Sequence, residues 1–249
     1  TTTTPPIMSG TPTDAYLDEV AVAAETAWDF FITSSSFGLP LGTVLVSTSD
    51  AQRIEIQVVD LAFSDYAGLT EVSPVPPKIL IDDNYDSAEG WIITGTDYMR
   101  VNIAHEFFHT IELSYMPVSV AVDPTAGWVI EAAASWAQDE FPPTDSLESY
   151  VVEGKAKQWT DYPEISLDAR PRNSGFEHGP ALFYKFITEK GRSLRNIFEN
   201  IAKIRNFTTW SNAKVLDAIS TELLPSGQWL VWSDFSAAIV AKIGPYGFQ

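Results

Sequence analysis

Strand-forming and helix-forming stretches are segregated along this chain. Apart from one helical pattern near its start, the strand-like runs precede residue 96 and the helical runs follow it. That order predicts an α+β fold, not an alternating βαβ sheet. The early helix is expected behind Thr13, a suitable cap. There Tyr16, Leu17, Val20, Ala24, Ala27, Trp28 and Phe31 recur at the helical period and read as a packing face. Strands are expected at residues 43–46, at 53–60 with its Ile54, Ile56, Val58 alternation, at 78–81 after Pro74, Pro76 and Pro77, and at 90–94.

Past residue 96 the spacing predicts helices over 97–113 with Thr96 as cap, 128–139 stopped by Pro142 and Pro143, 146–159, 180–190, 194–204, 212–223 and 233–243, with 161–175 irregular. Residues 1–12 read as a flexible arm. Residues 13–249 read as a single domain with a strand-rich lobe over about 13–113 and a mainly helical lobe over about 114–249. With 45% hydrophobic and 19% charged residues, the 249-residue chain has a globular balance and enough length to bury a sizeable core.

A formal charge of −18 sets the chain against phosphate backbones, so no nucleic-acid partner is expected. No apolar run reaches the length of a membrane span, so no membrane insertion is expected either. The absence of cysteine excludes disulfides and thiolate metal ligands. Thr1 to Thr4 followed by Pro5 and Pro6 reads as an extracellular linker left downstream of a leader or prodomain, which makes the protein secreted or cell-surface.

The strongest chemical signal is His105-Glu106-Phe107-Phe108-His109. Two histidines spaced i, i+4 lie on one helix face, one turn apart, so their imidazoles can converge on one metal ion. Glu106 stands beside the first of them, where a carboxylate can take a proton from water attacking a carbonyl. The chain has only three histidines, which makes chance a poor source of the pattern. Ile103, Ala104, Phe107, Phe108 and Ile111 supply the apolar faces that bury such a helix.

A catalytic zinc ion needs a third protein ligand and an open position. Glu131, in Trp128-Val129-Ile130-Glu131-Ala132-Ala133-Ala134-Ser135-Trp136, is the best candidate, because buried acids are normally paired or metal-bound. The alternatives are Asp123, whose loop suits a turn, and His178. Asp82, Asn84 and Asp86 alternate as Ca2+ ligands do. Ser87 stands where glycine is expected and the closing acid is missing, so an acidic turn is the main reading and calcium the alternative.

His105-Glu106-x-x-His109 followed by Glu131-Ala132 resembles the thermolysin-like gluzincin zinc peptidases. HEFFH with W-V-I-E-A-A-A-S-W is similar to a group of secreted prokaryotic metallopeptidases whose glutamate helix carries an E-(G/A)-x-A-x-W run. The specific part covers residues 97–140. Metzincin-type enzymes place a third histidine where this chain has Tyr115. The resemblance implies a zincin-like fold, one catalytic Zn2+ on His105, His109 and Glu131, and Glu106 as general base. It also implies a sheet edge before the zinc helix, at 90–94, that pairs with an extended peptide. Thermolysin-like enzymes have an Asp four residues after the glutamate ligand to orient one histidine. Ser135 stands there, so Asp139 or Glu112 must serve, or no carboxylate does.

The same pattern draws an oxyanion donor from a later helix. His178, opening the helix with Leu182, Phe183 and Phe186, fits that role, with Tyr184 and Tyr98 as other donors. The expected function is hydrolysis of peptide or protein substrates by a zinc peptidase. The alternative is a non-catalytic extracellular binding or adhesion module that keeps a zinc site. Glu106 separates the two, since a structural zinc has no use for a base.

Overall fold

The structure, a computed structural model, describes residues 12–40, 54–61, 66–87 except 74, 94–141 except 122, and 176–204 and 211–223, with a few isolated positions between and beyond. The expected strands at 43–46 and 90–94, and the helices at 146–159 and 233–243, lie wholly or mostly outside these residues.

The described residues form an α+β arrangement of a small sheet and seven α-helices. Helix α1, Asp14–Trp28, starts as expected, with Thr13 Oγ1 accepting from the Tyr16 backbone N–H at 3.2 Å. It runs on into a π-helical stretch, Asp29–Ser34. The wider turn changes the phase of the side chains. Both Phe30 and Phe31 then reach the aromatic cluster, edge-to-face with each other at 5.0 Å, with Phe31 also edge-on to Phe108 at 5.3 Å.

Strands β1 (Glu55–Val59), β2 (Gly68–Glu71) and β3 (Lys78–Asp82) form one sheet in the order β1-β3-β2. β1 runs parallel to β3, with Glu55 opposite Lys78, and β2 runs antiparallel, with Gly68 opposite Ile81. Ile79 and Ile81 are fully buried, and Ile54, Ile56 and Val58 pack on the same core, as their alternation requires. β2 has no counterpart among the expected strands.

After β3 the buried Asp82 carboxylate accepts from the backbone N–H groups of Leu61, Asn84 and Tyr85 at 3.0, 3.0 and 2.7 Å. Asn84 Oδ1 accepts from the Asp86 N–H at 2.6 Å. Two of the three alternating oxygen donors are thus engaged with local amides, which is the acidic-turn reading.

Helix α2, Gly95–Tyr115, begins earlier than expected, and Thr96 is not its cap. Thr94 occupies that place without a side-chain bond. The cause is Gly95, whose φ of +80° turns the chain into the helix while its N–H donates to the Tyr85 carbonyl at 3.2 Å. From Tyr98 to Tyr115 nearly every side chain is buried. A helix covered all round is central to its fold, and α2 packs on α1, β2, β3 and, most extensively, on the helix Gly127–Glu140.

Between them lie the short α3, Val118–Ala121, and a 3-10 turn, Pro124–Ala126. Helix α4 itself spans Gly127–Glu140. Ala132, Ala133, Ala134 and Ala137 are fully buried. Small side chains let two helices approach closely, and they bring α4 against α2. Helices α5 (Ala181–Glu189), α6 (Leu194–Ile204) and α7 (Asn212–Leu223) complete the helical part. α6 and α7 match the periodicity residue for residue. Trp136 Nε1 donates to Thr188 Oγ1 at 3.3 Å and Lys185 pairs with Asp139, joining α5 to α4. One hydrophobic cluster runs from Val20 to Phe235.

Candidate metal centre

α2 and α4 bring three potential metal ligands together. His105, His109 and Glu131 each offer a donor atom, and these atoms all lie within 4.8 Å of one another. All three residues are buried, at 7%, 8% and 8% exposure. Glu131 Oε2 stands 3.4 Å from His105 Nε2 and 3.5 Å from His109 Nε2. An N–H···O hydrogen bond closes to about 2.9 Å. The three donor atoms are close enough together that the group could hold a metal ion.

Helical geometry explains the pairing. His105 and His109 share the face of α2 turned to α4, with ring centroids 4.8 Å apart. Glu131 lies in the second turn of α4, among the alanines that allow the close approach. Asp123, the alternative carboxylate, caps its own loop instead. Its Oδ1 accepts from the Thr125 N–H at 2.9 Å and the Thr125 hydroxyl at 2.8 Å.

The partner of His109 is Glu112. Glu112 Oε2 stands 2.8 Å from His109 Nδ1, which directs Nε2 at the group. Asp139, the alternative, is paired with Lys185 across to α5. Replacing Glu112 by Leu is expected to weaken metal binding about 10- to 100-fold, with Gln, which keeps an acceptor, losing less. Competition against a chromophoric chelator measures both.

The electrostatics suit a cation. Burial works against a charged imidazole at His109, but the Glu131 carboxylate and the bond to Glu112 outweigh it and lift the ring to about 10. Burial likewise disfavours the Glu131 carboxylate, yet His109 and His105 hold it well below the usual carboxylate range. Glu106, Glu112 and Glu131 are all buried within a few turns of one another. Without a metal, the proton on the His109 imidazole supplies opposing charge.

Glu106 lies on the side of α2 that meets the sheet. The Thr70 hydroxyl on β2 stands 2.8 Å from the Glu106 carbonyl and 2.8 Å from Glu106 Oε2. Gly68, two residues earlier on the same strand face, is packed so closely that a Cβ there would sit 2.9 Å from Glu106 Cγ. Neither residue stands out in the sequence. An isolated glycine inside a short strand-forming run is the one signal that could have pointed to this close approach.

His178 lies beside the metal group and outside it. Its ring centroid is 6.0 Å from that of His105. Ser135, in the position where a carboxylate was expected, serves this histidine. Its Oγ lies 2.7 Å from the Glu131 carbonyl and 3.0 Å from His178 Nδ1. The hydroxyl carries one hydrogen, which the carbonyl takes, so Ser135 accepts from Nδ1–H. Tyr98 stands edge-on to Tyr85 at 5.1 Å. The fully buried Tyr184 hydroxyl has no hydrogen-bond partner among the described residues. Burial, and then the Glu112 charge, push that phenol far up.

No protein-family model matches the chain, and no curated protein or solved structure matches it. No helix among the described residues is long and apolar enough to cross a membrane.

Proposed function

We propose that the chain is a zinc-dependent peptidase of the gluzincin kind, with a zincin-like fold, secreted or displayed at the cell surface. The observation that carries the reading is the ligand spacing. Ligands held tetrahedrally at about 2.0–2.2 Å from zinc lie about 3.3–3.5 Å from one another. The two imidazole-to-carboxylate distances are 3.4 and 3.5 Å. The described residues supply three such donors, which suits a catalytic ion with an open position better than a closed structural site.

When bound, zinc supplies Lewis acidity for a scissile carbonyl and lowers the pKa of a water molecule. The chain's own residues do the rest. His105, His109 and Glu131 would hold the ion, and Glu112 fixes the His109 tautomer. Glu106 accepts the proton of the attacking water and passes it to the leaving amine. His178 would be held through Nδ1–H by Ser135, with its ring 6.0 Å from that of His105. Once protonated, the ring donates from Nε2 to the oxyanion as it forms.

Among the described residues β2 pairs only with β3. It lies against Glu106, so an extended peptide adding to that edge would bring its scissile bond to the base. The edge strand expected at 90–94 lies almost wholly outside the described residues.

Elemental analysis of the purified chain tests the reading. About one zinc per chain is expected from the three-ligand site, lost in His105→Ala, together with chelator-sensitive cleavage of an unfolded protein substrate. Full zinc occupancy with no cleavage of any peptide would turn the reading to the binding module.

A further inference from the structure

We propose that β2 sets the general base. Thr70 is a positioning residue that holds Glu106 Oε2, and Gly68 leaves the room that the Glu106 side chain occupies. The inference rests on the peptidase reading and deepens it.

Hydrogen-bonding capacity decides which oxygen is held. A threonine hydroxyl donates one hydrogen. Two acceptors stand 2.8 Å from Thr70 Oγ1, the Glu106 backbone carbonyl and Glu106 Oε2. An ionised carboxylate binds a hydroxyl donor more strongly than a carbonyl does, so the hydrogen goes to Oε2. That bond fixes the end of a side chain with three free torsions, next to a helix whose own backbone is rigid.

Gly68 and Thr70 share one face of β2, since alternate residues do. A Cβ at Gly68 would sit 2.9 Å from Glu106 Cγ and 3.1 Å from Oε1. Any side chain there would crowd the Glu106 side chain and push its carboxylate off Thr70. The strand edge proposed to align substrate therefore also aligns the base, and the two registers are set by one element.

The test is a double-mutant cycle of Thr70→Val and Glu106→Gln on the zinc-loaded chain, with Thr70→Ser as the rescue variant. Thr70→Val keeps the shape and loses the donor. It is expected to lower kcat about 10- to 100-fold, with KM little changed and zinc content at the wild-type level. Thr70→Ser is expected near wild type. In the Glu106→Gln background Thr70→Val should cost little further, because it acts through the carboxylate. Affinity for acetohydroxamate, which chelates zinc and hands its hydroxyl proton to a neighbouring base, gives a second readout without turnover. It should fall about tenfold in Thr70→Val, in line with one charged hydrogen bond, and stay unchanged on adding Thr70→Val to Glu106→Gln. Thr70→Val at wild-type kcat and acetohydroxamate affinity would overturn the assignment, as would an undiminished loss in the Glu106→Gln background. A zinc-loaded wild-type chain that cleaves nothing would instead overturn the peptidase reading, leaving the acetohydroxamate cycle to decide on Thr70.

Discussion

Glu106→Gln is expected to leave metal content unchanged and to lower peptide hydrolysis about 100- to 10,000-fold, the usual span for removing a general base. Glutamine has the same shape and still accepts from Thr70, so the contact with β2 and the packing of the buried side chain persist. What it loses is the capacity to take a proton. The loss should fall on kcat and kcat/KM equally, because the base acts in the transition state and not in substrate binding. Steady-state cleavage of an internally quenched peptide, beside zinc analysis of the same sample, measures both. A zinc-loaded Glu106→Gln chain with wild-type turnover would falsify the assigned mechanism.

The metal group was legible because both of its determinants are local. His105 and His109 are one turn apart on a helix whose apolar residues require its burial. Glu131 stands out as a carboxylate in an apolar run. The orienting partner of His109 was not decidable in the same way. Glu112 and Asp139 are both acids near a helix end, and the choice turns on Lys185, an ion-pair partner 46 residues from Asp139. No local pattern carries that pairing.

β2 escaped for a related reason. Gly68-Leu69-Thr70-Glu71 has neither a long alternation nor strong strand formers, and what holds it is β3 on one side and Glu106 on the other. Likewise the start of α2 depends on Gly95 adopting positive φ against the Tyr85 carbonyl, a tertiary contact that a capping pattern at Thr96 does not register. The π-helical stretch after α1 has its reason in the aromatic cluster around Phe31, which includes residues as distant as Phe108 and Phe141. Periodicity and caps place elements, whereas close approaches between elements place the chemistry.

Glu131→Ala separates the metal ligand from its other office, charge compensation, and its expected effects run in two directions. Removing one of three ligands should weaken zinc by on the order of 100- to 1,000-fold, a proportionate share of the binding energy of small zinc sites. The pH dependence should change as well. In the metal-free protein His109 is lifted from 6.5 to about 10, and the Glu131 charge does most to overcome the opposing effect of burial. Zinc at neutral pH must therefore displace a proton, and apparent affinity should fall about tenfold for each unit of acidification while one proton is exchanged. Without Glu131 that ring holds its proton less firmly, so the slope should flatten near neutrality even as the affinity drops.

The same shifts act on stability. A raised His109 stabilises the metal-free fold fully below 6.5 and loses that contribution as pH rises through about 10. The lowered Glu131 contributes above 4.5 and loses it on acidification. Metal-free wild-type protein should thus melt at lower temperature on going from neutral pH toward 10, and the Glu131→Ala chain should show less of that alkaline loss. Calorimetric zinc titrations in buffers of different ionisation enthalpy count the proton released. Wild-type binding with no proton release at neutral pH would mean that His109 is already neutral, and that Glu131 contributes as a ligand alone.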